Sequence, residues 1–267
     1  MFKFMSLGSG SSGNAYLLYT DTDCIAIDCG LGIRTIKKHF HSYGLQLSMI
    51  NNIIITHDHA DHVKSVGSLS TDYDIPVYAT KMVHEGINRN WCVKKKVDPS
   101  MVRFIEKGET KQIGEFKVTA FAVPHDSCDC VGYSIECEGV NFTIVTDCGH
   151  ITDEIKKFIS QANYLVIEAN HEPEKLAAGP YPKYLKARIA SQIGHLSNGE
   201  CAQAIVENAM PHLKHVWLCH LSDENNHPEL ARKAVTTAMA SVGLVADVDF
   251  MVEVLKRKTP SETYELI

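Results

Sequence analysis

The sequence predicts a layered α/β fold, built as one domain over residues 1–267 from two related β-rich halves. Three observations predict it. Short apolar runs of strand length alternate along the chain with stretches of helical periodicity. The run Ile25-Ala26-Ile27-Asp28-Cys29-Gly30 is echoed by Ile144-Val145-Thr146-Asp147-Cys148-Gly149, each a strand running into Asp-Cys-Gly. No Ser/Gly linker and no low-complexity segment divides the chain.

The elements follow in order. Strands are predicted over 3–7, 15–19 and 24–28, separated by a Gly/Ser-rich turn at 8–14 and an Asp-Thr-Asp turn at 21–23. Gly30 and Gly32 end the third strand. Ile33, Ile36, Phe40 and Tyr43 recur about once per turn, so 33–43 reads as a helix that stops at Gly44. A buried strand over 52–55 precedes a helix that begins near Asp61. A strand at 76–79 and a helix at 82–90 come next, then strands at 116–123, 131–136 and 141–146. The helix 153–161 leads to the strand 164–167. Between 170 and 195 the pattern breaks at Gly179-Pro180-Tyr181-Pro182 and a basic stretch, and a long irregular loop is expected there. Helices over 197–209 and 228–242 flank a strand at 216–219.

Hydrophobic residues make up 45% of the chain, enough for a sizeable core. No apolar run approaches the ~20 residues needed to cross a bilayer, so no membrane partner is expected. The start, Met1-Phe2-Lys3-Phe4, passes directly into turn chemistry without a secretory apolar region, and a cytoplasmic location is expected. The nine cysteines are odd in number and follow no framework spacing, so they read as small buried apolar residues. The net charge of −6 argues against a nucleic-acid partner, but bound divalent cations would reverse the local sign.

The chemistry-bearing run is His57-x-His59-x-Asp61-His62, placed directly after a buried strand. Alternate residues on a tight loop can converge on one metal while Asp61 and His62 turn to a second. Imidazole nitrogen with carboxylate oxygen suits Zn, Mn or Fe. The bland alternative is a solvated histidine-rich turn, and the apolar strand behind it weighs against that. His125, Asp147 and His220 each close a predicted strand, as a site assembled at one edge of a sheet requires. Ser197-x-x-Glu200 is a capping box, and a helix start with free N–H groups attracts anions. His195 lies just before it, placed to touch a phosphate or protonate a leaving oxygen. Lys175, Lys183, Tyr184, Lys186 and Arg188 supply the basic and aromatic character that suits a nucleic-acid strand. A solvated basic surface explains those residues equally well.

Asp28-Cys29-Gly30, the His57-to-His62 run, His125, Asp147 and His220 arrive in an order that resembles the metallo-β-lactamase superfamily over nearly the whole chain. That resemblance implies a four-layer αββα sandwich with two divalent metal ions at one edge. It implies His57, His59 and His125 on the first metal, Asp61, His62 and His220 on the second, and Asp147 bridging. Asp28 matches a supporting position rather than a ligand. A bridging aspartate without a cysteine implies the phosphodiesterase, nuclease and thioesterase branch, with a hydroxide between metals about 3.5–4 Å apart. Glu168 resembles the strand-end glutamate of the tRNA-processing members, whose histidine partner would here be His195. The motifs Leu7-to-Ala15, Glu168-to-His171, Gly194-to-Asn198 and His220-to-Asn226 are further similar to the bacterial YycJ/WalJ subfamily. This implies a DNA exonuclease of 5′-to-3′ polarity in replication or repair. Asp61, His195 and Glu168 are then the catalytic set, with His171, Ser197 and Asn198 on the substrate, DNA first and RNA as the alternative. Cys128-Asp129-Cys130 departs from the pattern and suggests a redox-sensitive wall beside His125.

Two other functions fit parts of this sequence. The same ligands serve hydrolases of small thioesters, lactones or cyclic phosphodiesters, and that reading gains if Lys183, Lys186 and Arg188 turn away from the metals. A non-catalytic binding module would have lost ligands, and none of the seven residue types is missing.

Overall fold

Strand polarity changes in the same way in both halves of the chain. The computed structural model describes all of residues 1–267. In the first half β1 (Phe2–Gly8), β2 (Ala15–Tyr19) and β3 (Cys24–Ile27) pair antiparallel. From β3 onward β4 (Asn52–Ile54), β5 (Val77–Ala79) and β6 (Val102–Phe104) add in parallel. In the second half β7 (Thr110–Ile113), β8 (Phe116–Ala122), β9 (Val131–Cys137) and β10 (Val140–Val145) pair antiparallel. Here β11 (Tyr164–Glu168), β12 (His215–Cys219) and β13 (Met251–Val254) add in parallel. The last strand, β14 (Tyr264–Leu266), returns antiparallel to β1. The sheet β14-β1-β2-β3-β4-β5-β6 therefore matches β7-β8-β9-β10-β11-β12-β13 position for position. The strands carrying the Asp-Cys-Gly echo, β3 and β10, occupy the same place in each.

Side chains alternate along these strands and define the layers. Ile25 and Ile27 of β3 face a core shared with Tyr133, Phe142, Val166 and Trp217 of the other sheet. Cys24 and Ala26 face the opposite way, into a core closed by helices of the first half. Those helices are α1 (Ile33–Ser42), α2 (Ala60–Val63), α3 (Val66–Tyr73) and α4 (Lys81–Arg89). They contribute Ile36, Phe40, Val63, Leu69, Val83 and Ile87. On the far side α5 (Asp153–Gln161), α6 (Pro173–Ala178), α7 (Lys183–Ile189), α8 (Asn198–Asn208) and α9 (Pro228–Ser241) follow in the chain. Of these, α5, α8 and α9 bury Ile155, Phe158, Ile205, Val235 and Met239 against Leu165, Ile167 and Leu218. The order is helix, sheet, sheet, helix: the four-layer αββα sandwich.

The two halves are locked through aromatic contacts. The Phe4 ring lies 4.7 Å from Trp217 and 5.0 Å from Phe142. At the edge where the strands end, Tyr133 Oη donates to Ile55 O at 2.7 Å and Val131 N donates to Thr56 O at 3.0 Å. The chain leaving β4 is thereby tied to β9 of the opposite sheet just before His57.

The long loop expected over 170–195 contains α6 and α7. Pro182, part of the run that suggested irregularity, is the N-cap of α7, and Pro173 is the first residue of α6, positions where a missing N–H costs nothing. The short strands β6, β7, β13 and β14 have no counterpart in the sequence reading. Each spans three or four residues at or next to a sheet edge and has exposed or half-exposed positions, so no alternating run marks it. No helix is long and apolar enough to cross a membrane.

His215 stacks on Trp217 at 4.0 Å, and its Nε2 has no hydrogen-bond partner. Burial lowers its pKa to about 4. The unfolded chain protonates this imidazole near its ordinary value of about 6.5. The stability it contributes is present above the unfolded value and is lost as pH falls toward the folded one. Chemical denaturation between pH 7 and 4 is expected to show stability falling more steeply in the native protein than in His215→Phe, which keeps the stack and removes the proton site.

Candidate active site

Three acidic or imidazole residues at strand ends sit in the left-handed backbone region: Asp28 after β3 (φ 60°), Asp147 after β10 (φ 50°) and His220 after β12 (φ 53°). This conformation is costly for a residue with a Cβ and turns each side chain sharply off its strand. Two glycines complete the echo by allowing close approach. A Cβ on Gly30 would lie 1.6 Å from Asp61 O, and one on Gly149 would lie 2.3 Å from Gln192 O. The first admits the loop bearing the histidine run, and the second admits the loop leading to His195.

Asp28 is fully buried and orients that run without reaching the cavity. Its carboxylate accepts from Thr56 N and Thr56 Oγ1, both at 2.9 Å, and from His62 Nδ1 at 2.7 Å. A carboxylate only accepts, so His62 presents Nε2 to the site. There it lies 3.1 Å from Asp147 Oδ2 and 3.6 Å from Asp61 Oδ2. His220 is held in the same manner. Its Nδ1 donates to Glu168 Oε1 at 2.9 Å, leaving Nε2 at 3.3 Å from Asp61 Oδ2. His125 Nδ1 donates to Gly194 O at 3.0 Å, and its Nε2 lies 3.2 Å from His59 Nδ1. His57 Nε2 is buried with no partner at all.

These side chains form four overlapping groups that could hold a metal ion: His57, His59 and His125; Asp61, His62 and His220; His57, His62 and Asp147; and Asp147, Glu168, His195 and His220. Asp147 belongs to the last two of these groups, and its Oδ1 lies 3.7 Å from His125 Nε2. The electrostatics fit cations. Burial opposes charge on His62, yet Asp147, Asp28 and Asp61 outweigh it and raise its pKa well above the usual range. Burial likewise opposes charge on His220, and Asp147, Asp61 and Glu168 raise it to about 10. His57 goes the other way: burial, then His62, keeps it neutral with an unused lone pair. Clustered carboxylates that demand positive charge, beside an orphaned imidazole nitrogen, are the features of a divalent-metal site.

Glu168 and His195 meet at 2.8 Å through Oε1 and Nδ1. The same oxygen binds His220, while Oε2 accepts from Cys148 N at 2.9 Å and Leu196 N at 3.1 Å. Burial pushes Glu168 up, but His195 and His220 hold it down to about 2. Burial opposes charge on His195, and Glu168 raises its pKa above the ordinary value.

A cavity of about 230 Å³ opens onto His59, Asp61, Asp147, His195 and His220, with Ser11, Asn170 and Ser222 on its rim. Helix α7 and the turn before it close one side with Tyr181, Leu185, Arg188 and Ile189. Arg188 is clamped to Asp126, the neighbour of His125, through two hydrogen bonds. Of the basic residues expected near substrate, only Arg188 lines the cavity. Lys186 Nζ donates to Ala177 O at 2.6 Å, closing the turn between α6 and α7.

The three expected substrate contacts lie outside the cavity lining. Ser197 and Glu200 cap one another, and Asn198 N donates to His171 O, so the N–H groups at the α8 start are largely occupied. Asn198 is buried, its amide shared between Glu172 and Asn226. His171 is buried beside Ser197 rather than exposed. These residues brace the segment that carries His195. The cysteines behave as read: none is paired, and all but Cys92 and Cys128 are buried. Burial and Asp58 push the Cys128 thiol up to about 12, which disfavours the reactive thiolate form.

Sequence reasoning did not single out Asn14, Ser9 or Asn170. Asn14 Nδ2 lies 2.9 Å from His62 Nε2, Ser9 Oγ accepts from His220 N at 2.9 Å, and Asn170 Nδ2 donates to His220 O at 3.0 Å. Ser9 and Asn14 lie in the Leu7-to-Ala15 motif and Asn170 in the Glu168-to-His171 motif, which carry the family resemblance without giving these side chains a role.

Residues 24–220 match the Beta-lactamase superfamily domain. The chain belongs to this superfamily. It is 32% identical over 263 residues to the exodeoxyribonuclease YycJ of Bacillus anthracis, covering 97% of both chains. It is 34% identical over 251 residues to the exodeoxyribonuclease WalJ of Streptococcus pneumoniae, covering 94% of this chain and 93% of that one. In fold it is similar to the Zn-bound PqqB of Methylobacterium extorquens, with a TM-score of 0.74, 18% identity and coverage of 99% and 100%. The chain is thus a metallo-β-lactamase-fold hydrolase with a His/Asp cluster suited to divalent metal.

Gly30→Ala would drive a methyl group into the backbone of Asp61. Overpacking of this kind costs about 1–3 kcal/mol, and thermal denaturation is expected to show that loss. Gly199→Ala, in the first turn of α8 with open space around it, is expected to keep stability or raise it by up to about 1 kcal/mol.

Proposed function

We propose that this hydrolase is a divalent-metal-dependent phosphodiesterase acting on DNA, a cytoplasmic 5′-to-3′ exonuclease of replication or repair. Residues 1–267 are taken as one metallo-β-lactamase-like domain holding two ions, with Zn, Mn and Fe as the candidates. His57, His59 and His125 would hold one ion, Asp61, His62 and His220 the other, with Asp147 between them. Bound there, the ions supply Lewis acidity for phosphoryl charge and for activating water.

The observation that carries the reading is the Glu168–His195 pair beside these donor sets. Glu168 keeps a proton on His195 and fixes its Nδ1, so Nε2 is the atom left to donate to a leaving oxygen. Arg188 spends Nε and one terminal nitrogen on Asp126, and its other terminal nitrogen remains for a phosphate oxygen. Relatives named as exodeoxyribonucleases, similar over nearly their whole length, support DNA as the substrate. RNA is the alternative nucleic acid.

The placement of Lys183 and Lys186 away from the cavity lining favours a second reading, hydrolysis of a small thioester, lactone or cyclic phosphodiester. End-labelled DNA separates the two. The purified protein with Zn, Mn or Fe is expected to release nucleotides stepwise from the 5′ end, and Asp61→Ala to abolish this. No cleavage with any of the ions would remove the nuclease reading.

Two further variants separate the roles. His195→Ala is expected to lower kcat by ~10²–10⁴-fold with metal content unchanged. Asp28→Asn, at a carboxylate whose hydrogen bonds go only to Thr56 and His62, is expected to weaken metal affinity by ~10–100-fold, read by titration with a chelating indicator.

A further inference from the structure

The segment from Arg89 to Lys96 has no part in the chemistry above. It lies at the C-terminal end of α4 and in the loop that follows, and it contains Arg89, Lys94, Lys95 and Lys96 without one acidic residue. In a chain of net charge −6 this is a local reversal of sign. Trp91, in its middle, is 78% exposed. The other tryptophan, Trp217, is wholly buried.

The loop is built to hold this indole in solvent. Asn90 O and Oδ1 accept from Val93 N and Cys92 N, forming a tight turn around Trp91. Val93 and Val97 are buried and anchor the segment in the outer core of the first sheet. Gly67 of α3 lets the loop lie flush, since a Cβ there would stand 1.8 Å from Lys95 O. Lys96 Nζ donates to Ile87 O and Asn90 O, and Lys95 pairs with Asp72. Arg89 and Lys94 make no ion pair. Lys94 Nζ sits 5.1 Å from the Trp91 ring centroid, which covers one face and leaves the other open.

The loop is also tied to the histidine run. Asn90 Nδ2 donates to Asp58 O at 2.7 Å, and Gly86 of α4 packs against the Asp58 side chain. Trp91 is thus one residue from a hydrogen bond to the loop that presents His57 and His59.

We propose that Trp91, with Arg89 and Lys94, is a docking platform for a single-stranded nucleic acid, stacking one base beside the metal-loop edge of the cavity. The inference rests on the phosphodiesterase reading for its substrate class. An exposed indole with one free face, flanked by cations that make no ion pair, matches what base stacking and phosphate contact require. An apolar protein partner would leave Arg89 and Lys94 without acceptors.

The chain reports on this surface itself, because Trp91 is its single exposed tryptophan. A nuclease-resistant phosphorothioate oligonucleotide, titrated into the full-length protein, is expected to quench tryptophan emission. The quench should vanish in Trp91→Phe, whose remaining Trp217 emission verifies the fold. Trp91→Ala is expected to raise Kd for the single strand roughly 5- to 150-fold, the range for losing one base–aromatic stack. Arg89→Ala with Lys94→Ala should lower the salt-dependence slope by about 0.7 per cation removed. All three variants should turn over a chromogenic phosphodiester, bis-p-nitrophenyl phosphate, at the native rate. Absence of quenching, or quenching and affinity unchanged by these substitutions, overturns the platform. A Trp91 emission shift that follows protein concentration without oligonucleotide, with a dimer in sedimentation, assigns the face to self-association and also overturns it. Failure to hydrolyse the chromogenic ester with binding intact sinks the phosphodiesterase reading instead and leaves the platform standing.

Discussion

Buried carboxylates that point imidazole rings are the constraint on which this site depends. A free histidine side chain rotates and exchanges tautomers, and neither freedom is compatible with a fixed donor set. Asp28 removes both from His62, and Glu168 removes both from His220 and His195. Each carboxylate is wholly buried, so its charge must be met by hydrogen bonds from several directions. Thr56, Cys148 and Leu196 supply those bonds from the backbone of the loops that carry the histidines. Removing one charge therefore loosens a loop as well as a ring.

Glu168 has a double role. One oxygen serves His195, the proposed proton donor, and His220, a member of a metal-binding set. On the proposed roles, proton donation and metal binding would be coupled through this single atom. The shared carboxylate favours positive charge on each ring, while charge on His220 opposes charge on His195 directly. The pair is also bound to the α8 segment through Leu196, which explains why the Ser197–Glu200 capping box and the buried Asn198–Asn226 pair lie directly behind it. Their polarity stiffens the scaffold and is not offered to a ligand.

Much of the site was legible because its residues lie at the ends of apolar strands, where hydrophobic pattern and polar motif meet. The His57-to-His62 run, His125, Asp147 and His220 stand out for that reason, and so does the repeated Asp-Cys-Gly. The repeat has a physical basis in the two positive-φ aspartates and the two glycines that admit a neighbouring loop. The cavity wall was less legible. Helix α7 follows a proline that was read as a break, and the short strands at and near the sheet edges carry no alternating pattern. That Ser197, Asn198 and His171 lie outside the cavity lining was not legible, because a helix start looks the same in sequence whether its N–H groups are free or already taken.

The sequence by itself determined the fold class, the pairing of two β-rich halves and the residue types of the candidate metal site. These depend on periodicity and on local motifs, which a chain carries whatever its final packing. Only the tertiary structure decided which nitrogen each histidine presents, that Glu168 serves two rings, and that Arg188 rather than Lys183 or Lys186 reaches the cavity. It alone also decided that Trp91 stands in solvent beside the metal loop while Trp217 is buried in the core. Such facts depend on distances between residues far apart in the chain, and those distances exist only once the two sheets have closed on each other.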